Sequence, residues 1–121
     1  MRKRVFYGLW ICATVLMLVP GDSVPKAFQF WDKAQHALGF AALAIAALWA
    51  DWARSNLTRV SGILLLYGAA VECIQALLPW RSGDIADFVA DAVGLACVVG
   101  GARLFPTLLN RIRPASHPKS V

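Results

Sequence analysis

The sequence predicts an all-α fold, a bundle of four transmembrane helices with both termini in the cytoplasm. Three observations carry that expectation. Of the 121 residues, 59% are hydrophobic and only 16% are charged; soluble domains have about 45–50% apolar and about 25% charged residues. The apolar residues fall into four runs separated by short polar breaks. The basic residues collect on one side of that alternating pattern. So short a chain cannot hide this much apolar surface in its own interior, whereas a bilayer accepts it.

The first run extends from Val5 to Val19 and is stopped by Pro20-Gly21-Asp22. As a helix it spans about 23 Å, short for a core of ~30 Å, and Arg4 can snorkel to extend it. Met1-Arg2-Lys3-Arg4 would also suit a signal peptide, but no small-x-small cleavage site follows Val19, which favours a retained helix. The second run, Ala34 to Trp49 or Ala50, is alanine-rich and carries Trp49 and Trp52 as interfacial anchors at its far end. The third, Val60 to Leu78, ends in the tight turn Pro79-Trp80-Arg81-Ser82-Gly83-Asp84. The fourth runs from Ile85 to Leu104 and stops at Pro106. Residues 1–106 thus form one membrane domain, and residues 107–121 a polar cytoplasmic tail.

Orientation follows from charge. With the amino terminus inside, Arg2, Lys3, Arg4, Arg54, Arg59, Arg103, Arg111, Arg113 and Lys119 are cytoplasmic, and only Lys26, Lys33 and Arg81 are outside. This distribution also excludes nucleic acid as the partner, despite a net charge of +5: the basic residues flank apolar runs and form no groove-reading stripe. The partner is the bilayer itself, and the location is the plasma (inner) membrane as a multi-pass protein. Cys12, Cys73 and Cys97 each sit in an apolar run, in odd number and far apart, and read as small buried hydrophobes.

Against this background the polar residues inside the runs are informative, because ionisable groups cost several kcal/mol in hydrocarbon. Asp32, Lys33 and His36 open the second run, Glu72 and Gln75 lie late in the third, and Arg81, Asp84, Asp87 and Asp91 surround the start of the fourth. The topology brings all of them to the outer end of the bundle, with Glu72 about 10 Å below the turn. Helical spacing agrees: Asp32 and His36 are four residues apart, and Asp84, Asp87 and Asp91 follow an i, i+3, i+7 stripe. Beside the stripe runs Ala86, Ala90 and Gly94, a small-residue track that lets a neighbouring helix come close.

These motifs resemble the VanZ-like family of small membrane proteins. The resemblance rests on Asp32-Lys33-x-x-His36-x-x-x-Phe40, Glu72-x-x-Gln75, Pro79-x-Arg81 and Asp84-x-x-Asp87-x-x-x-Asp91-x-x-Gly94, in that order. It covers the second to fourth runs. The family often has asparagine at the position of Asp91. It takes its name from a protein associated with teicoplanin resistance, but most members occur away from resistance clusters, so the resemblance implies a fold and a site more firmly than a function or a link to glycopeptide susceptibility.

The residue types suggest roles. His36 suits a proton acceptor whose ring is oriented by Asp32 or Glu72; the alternative is a histidine satisfied at the interface. Glu72 suits a general acid or base, or else a helix–helix hydrogen bond with Gln75. Arg81 suits a phosphate clamp, or a counter-ion to Asp84 or Asp87. The remaining ligand-binding candidates are Asp32, Lys33, Gln75, Asp84, Asp87 and Asp91. His36, Glu72, Asp87 and Asp91 have the chemistry of divalent-metal ligands, but without a spacing such as HExxH no metal is assigned and the cofactor stays open. Phe28, Phe30 and Trp31 read as an outer interfacial belt. The leading expectation is a site for an anionic envelope ligand, a lipid head group or lipid-linked cell-wall intermediate. An intramembrane acid–base enzyme acting on a lipid phosphate, with His36 and Glu72 catalytic, is the alternative, and a structural or partner-binding membrane protein is a third reading.

Overall fold

The computed structural model describes residues 1–20, 29–52 and 56–112, without the side chains of 29–31 and 112. Phe28 and the side chains of Phe30 and Trp31, expected as an aromatic belt, and the basic residues Lys26, Arg54, Arg113 and Lys119 lie outside what is described. The described residues are helical throughout their ordered elements: α1 (Arg2–Leu18), α2 (Gln29–Trp49), α3 (Leu57–Leu77), α4 (Ile85–Leu104) and α5 (Pro106–Ile112). Of these, α3 and α4 are long and apolar enough to cross a membrane.

Local chemistry sets the boundaries. Asn56 caps α3 by accepting the Arg59 N–H at 3.0 Å, and Asp84 caps α4 by accepting the Ala86 N–H at 2.9 Å, each satisfying an orphan donor of the first turn. Proline at position 106 cannot continue α4 but suits the first turn of a helix, so it begins α5. The expected polar tail from residue 107 therefore opens as a helix, anchored by the buried Leu109 against Leu48 and Ala102.

The helices alternate in direction, so the end of α1, the start of α2, the end of α3 and the start of α4 meet at one pole. Two side-chain bonds tie α1 there: Gln75 Nε2 donates to the Met17 carbonyl at 2.7 Å and Trp80 Nε1 donates to the Leu18 carbonyl at 3.1 Å. These carbonyls belong to the last turn of α1, where no intrahelical donor remains. The opposite half is filled by Phe6, Trp10, Trp52 and Tyr67, with Phe6 and Trp52 ring centres 5.0 Å apart and Trp10 and Tyr67 5.3 Å apart. Trp52, expected as an interfacial anchor, is thus part of a packed aromatic cluster, and its indole N–H donates to the Tyr7 hydroxyl at 3.1 Å.

The surface is rich in large apolar side chains, and among the described residues the largely apolar core holds four polar ones. Ile11, Leu16, Leu66, Leu77, Val89 and Val93 are exposed, while His36, Gln75, Asp87 and Asp91 are buried. The cysteines follow the outward apolar faces: all three are exposed, which corrects the expectation that they are buried.

The tightest seam joins α2 and α4. A Cβ built on Gly94 would overlap the backbone carbonyl of Ala37, so only glycine permits this approach. Gly94 ends the small-residue track read from the sequence, and the partner it meets is α2.

Candidate functional site

The close α2–α4 seam sets the site. One turn before Gly94, Asp91 projects from α4 toward α2 and meets His36 one residue before Ala37. His36 Nδ1 and Asp91 Oδ1 are 2.9 Å apart, with both residues buried. An ionised carboxylate only accepts, so Nδ1 is the donor in this pair, and in the neutral ring Nε2 keeps the lone pair. The orienting carboxylate is therefore Asp91, not Asp32 or Glu72 as the sequence suggested.

One turn nearer the pole, Lys33 clasps α2 to α4. Its ammonium lies 2.9 Å from Asp84 Oδ2 and 2.9 Å from Asp87 Oδ1. Lys33 thus takes the counter-ion place expected for Arg81. Arg81 instead stands 3.7 Å from Asp32 Oδ1, longer than a charge-assisted hydrogen bond of about 2.7–2.9 Å. Asp84 sits in the turn ahead of α4, where the Lys33 ammonium, and after it the Ala86 N–H, hold its carboxyl below the ordinary value of 3.8.

Glu72 and Gln75 do not pair with each other. Glu72 Oε2 accepts the Asp84 N–H at 3.0 Å, tying α3 to the turn. Gly83 makes that possible, since a Cβ there would lie 2.8 Å from both the Glu72 carbonyl oxygen and Ala76 Cβ. Gln75 was a ligand-binding candidate; the structure ties it to α1 through Met17 rather than to the carboxylates.

Four buried polar atoms have no hydrogen-bond partner among the described residues: His36 Nε2, Glu72 Oε1, Gln75 Oε1 and Asp91 Oδ2. Buried polar groups are nearly always satisfied, by protein or by water, so such a concentration makes this pole the candidate site. Two groupings of ligand-type atoms, each within 4.8 Å of one another, occur there: Asp32 with His36 and Asp87, and His36 with Glu72 and Asp91. A cavity of about 430 Å³ opens beside them. Arg81, Asp32, Gln35 and His36 form its polar side, and residues such as Met17 and Leu38 its apolar side.

The sequence-predicted residues Asp32, Lys33, His36, Glu72, Arg81, Asp84, Asp87 and Asp91 do converge. Sequence reasoning missed Gln35 and Gly39, which line the cavity, and Gly68, where a Cβ would come within 3.1 Å of both Asp91 Oδ2 and the Phe40 ring. A glycine in an apolar helix carries little signal of its own; Gln35, beside His36, could have been found as a further polar residue at the mouth of a span. Comparisons with protein-family models, curated proteins and solved structures find no match.

Proposed function

We propose that this chain is a four-helix integral membrane protein of the VanZ-like type. Both termini are cytoplasmic, and its polar pole faces outward from the plasma membrane. There it binds the phosphate of an anionic lipid or of a lipid-linked cell-wall intermediate. Membrane placement is supported by α3 and α4, two helices long and apolar enough to cross a membrane, and by the many large apolar side chains on the surface.

One observation carries the ligand reading: Arg81 and His36 line a cavity whose lining is otherwise largely apolar. A lipid presents the same combination, a charged head beside hydrocarbon. Arg81 suits the head because a guanidinium matches phosphate oxygens in bidentate geometry, and its 3.7 Å approach to Asp32 leaves that fork lightly engaged. Leu16, Leu38 and Val19 supply the apolar wall. A link to glycopeptide susceptibility would follow from occupancy of such a lipid at the outer leaflet.

The test is native mass spectrometry of the chain in nanodiscs of phosphatidylcholine doped with phosphatidylglycerol or a polyprenyl phosphate. Retention of the anionic lipid, lost with Arg81→Ala and partly kept with Arg81→Lys, is the expected result. Equal retention of phosphatidylcholine, or anionic-lipid retention indifferent to Arg81, would overturn the reading.

A further inference from the structure

We infer that His36, Asp87 and Asp32 form a binding site for one divalent transition-metal ion at the polar end of the α2–α4 seam. The inference stands on side-chain geometry and does not depend on the lipid reading.

The nitrogen comes first. His36 is 2% exposed, and its Nε2 has no hydrogen-bond partner among the described residues. Its other nitrogen is engaged by Asp91 at 2.9 Å. A carboxylate on one ring nitrogen, fixing the tautomer and presenting the lone pair of the other, is the outer-shell arrangement of metal-ligating histidines.

The carboxylates come next. Asp87 divides its oxygens: Oδ1 accepts from Lys33 at 2.9 Å, and Oδ2 lies 4.0 Å from His36 Nε2. That gap is too wide for a hydrogen bond of about 2.7–3.2 Å, and a few tenths of an ångström wider than the about 3.3–3.6 Å that bonds of about 2.0–2.2 Å set between two tetrahedral ligands. Asp32 supplies the third oxygen, and the three ligand atoms lie within 4.8 Å of one another. Small side-chain rotations close that distance to a coordination sphere. Asp91 belongs to a second grouping with His36 and Glu72, but its Oδ1 already holds the ring. The first grouping leaves that bond in place and pairs the ring with Asp87, whose Oδ2 faces Nε2.

The ion class follows from the donors. One imidazole and two carboxylates suit Zn²⁺ or Mn²⁺, whereas Mg²⁺ and Ca²⁺ prefer oxygen alone. Asp32 and His36 also line the cavity, so three protein ligands would leave a coordination position facing it, as in catalytic rather than structural sites. Lys33 keeps the local charge low by neutralising Asp84 and the far oxygen of Asp87.

The experiment uses untagged full chain in detergent, stripped with chelator and titrated with Zn²⁺ and with Mn²⁺ by calorimetry. One equivalent of Zn²⁺ or Mn²⁺ should bind, and Mg²⁺ at equal concentration should not compete. His36→Gln and Asp87→Asn should each weaken binding at least ~100-fold, and Asp91→Asn about 10–100-fold through loss of ring orientation. Nitrogen-15 histidine NMR of the wild type gives an independent readout if a variant fails to fold. The chain has two histidines, His36 and His117. Zn²⁺ should move the His36 Nε2 resonance and leave His117 in place. Absence of stoichiometric binding, an unmoved His36 ring, or binding that survives both His36→Gln and Asp87→Asn overturns the inference. Phosphatidylglycerol retention measured on the same metal-free sample separates failure here from failure of the lipid reading.

Discussion

His36 Nδ1 lies 2.9 Å from Asp91 Oδ1, and this single bond crosses the α2–α4 seam with both side chains buried. Removing one partner strands the other, and a stranded buried charge is costly. Interhelical bonds in membranes couple by about 0.6 kcal/mol on average. A fully buried imidazole–carboxylate pair should exceed that, with coupling of about 1–2 kcal/mol. The cycle of His36→Leu and Asp91→Leu, followed by unfolding in mixed micelles, measures it. Asp91→Asn keeps an acceptor oxygen and should cost only about 1 kcal/mol. Strict additivity of the two leucine changes would show that the bond does not hold the seam.

Gly94 and Gly100 lie on the same helix but should respond oppositely to alanine. A Cβ on Gly94 overlaps the Ala37 backbone, which no rotamer change relieves, whereas Gly100 has nothing within 4 Å. Gly94→Ala should destabilise by about 1–3 kcal/mol or more, and Gly100→Ala should be neutral or stabilise by up to ~1 kcal/mol. Thermal transitions in detergent decide the matter; equal shifts would mean that the seam is looser than described.

Asp84 gives the pole an acid limit. Its carboxyl is held below the ordinary 3.8 by Lys33 and then by the Ala86 N–H. A group whose folded value is depressed contributes stability above its unfolded value and loses it as pH falls through the folded one. The contribution should therefore be complete above about pH 4 and fade below it. Asp84→Asn keeps the helix cap but removes the charge, so it should flatten the acid limb of a melting-temperature profile. An unaltered limb would assign the acid sensitivity to other groups.

Much of this was legible in the sequence because periodicity and punctuation survive folding. Ile85–Leu104 matches the fourth apolar run end to end, fixed by Asp84 before it and Pro106 after it. The convergence of His36 with Asp87 and Asp91 followed from alternating helix direction and the i, i+3, i+7 stripe of Asp84, Asp87 and Asp91. Partner choice was not legible. Lys33 and Arg81 are both near the pole, and spacing alone cannot say which cation reaches over α4. That choice is set by the α2–α4 approach at Gly94, which brings Lys33 against Asp84 and Asp87. Gln75 turned to α1 because the Met17 carbonyl, at a helix end, needed a donor. The α5 helix escaped notice because a seven-residue element is too short for a periodic signal.

The outward placement of the pole is tested at Ser82, which is exposed in the turn between α3 and α4. Cys12, Cys73 and Cys97 are free thiols, so they are first replaced by alanine to leave a single target. Ser82→Cys in intact cells should then react with a membrane-impermeant maleimide added from outside. Reaction only after the membrane is opened would invert the topology and place the cavity on the cytoplasmic side.

Arg81 and Lys33 should separate cleanly in their coupling to Asp87. Lys33 donates to Asp87 Oδ1 at 2.9 Å, on a carboxylate whose side chain is 5% exposed. Desolvation strengthens that pair, although the lysine itself is 39% exposed and solvent screens part of the gain. The cycle of Lys33→Met with Asp87→Asn should give coupling of about 1 kcal/mol. Arg81 meets Asp32 and not Asp87, so Arg81→Ala with Asp87→Asn should be additive within about 0.3–0.5 kcal/mol. Arg81→Ala should also leave the melting temperature nearly unchanged, because its contact with Asp32 is long and Asp32 is 38% exposed. That pair of outcomes would fit the proposed role of Arg81, which lines the cavity, in binding rather than in folding. If Arg81→Ala instead unfolds the protein, or couples to Asp87 more strongly than Lys33 does, the arginine is a structural counter-ion, and the phosphate reading of the cavity loses its anchor.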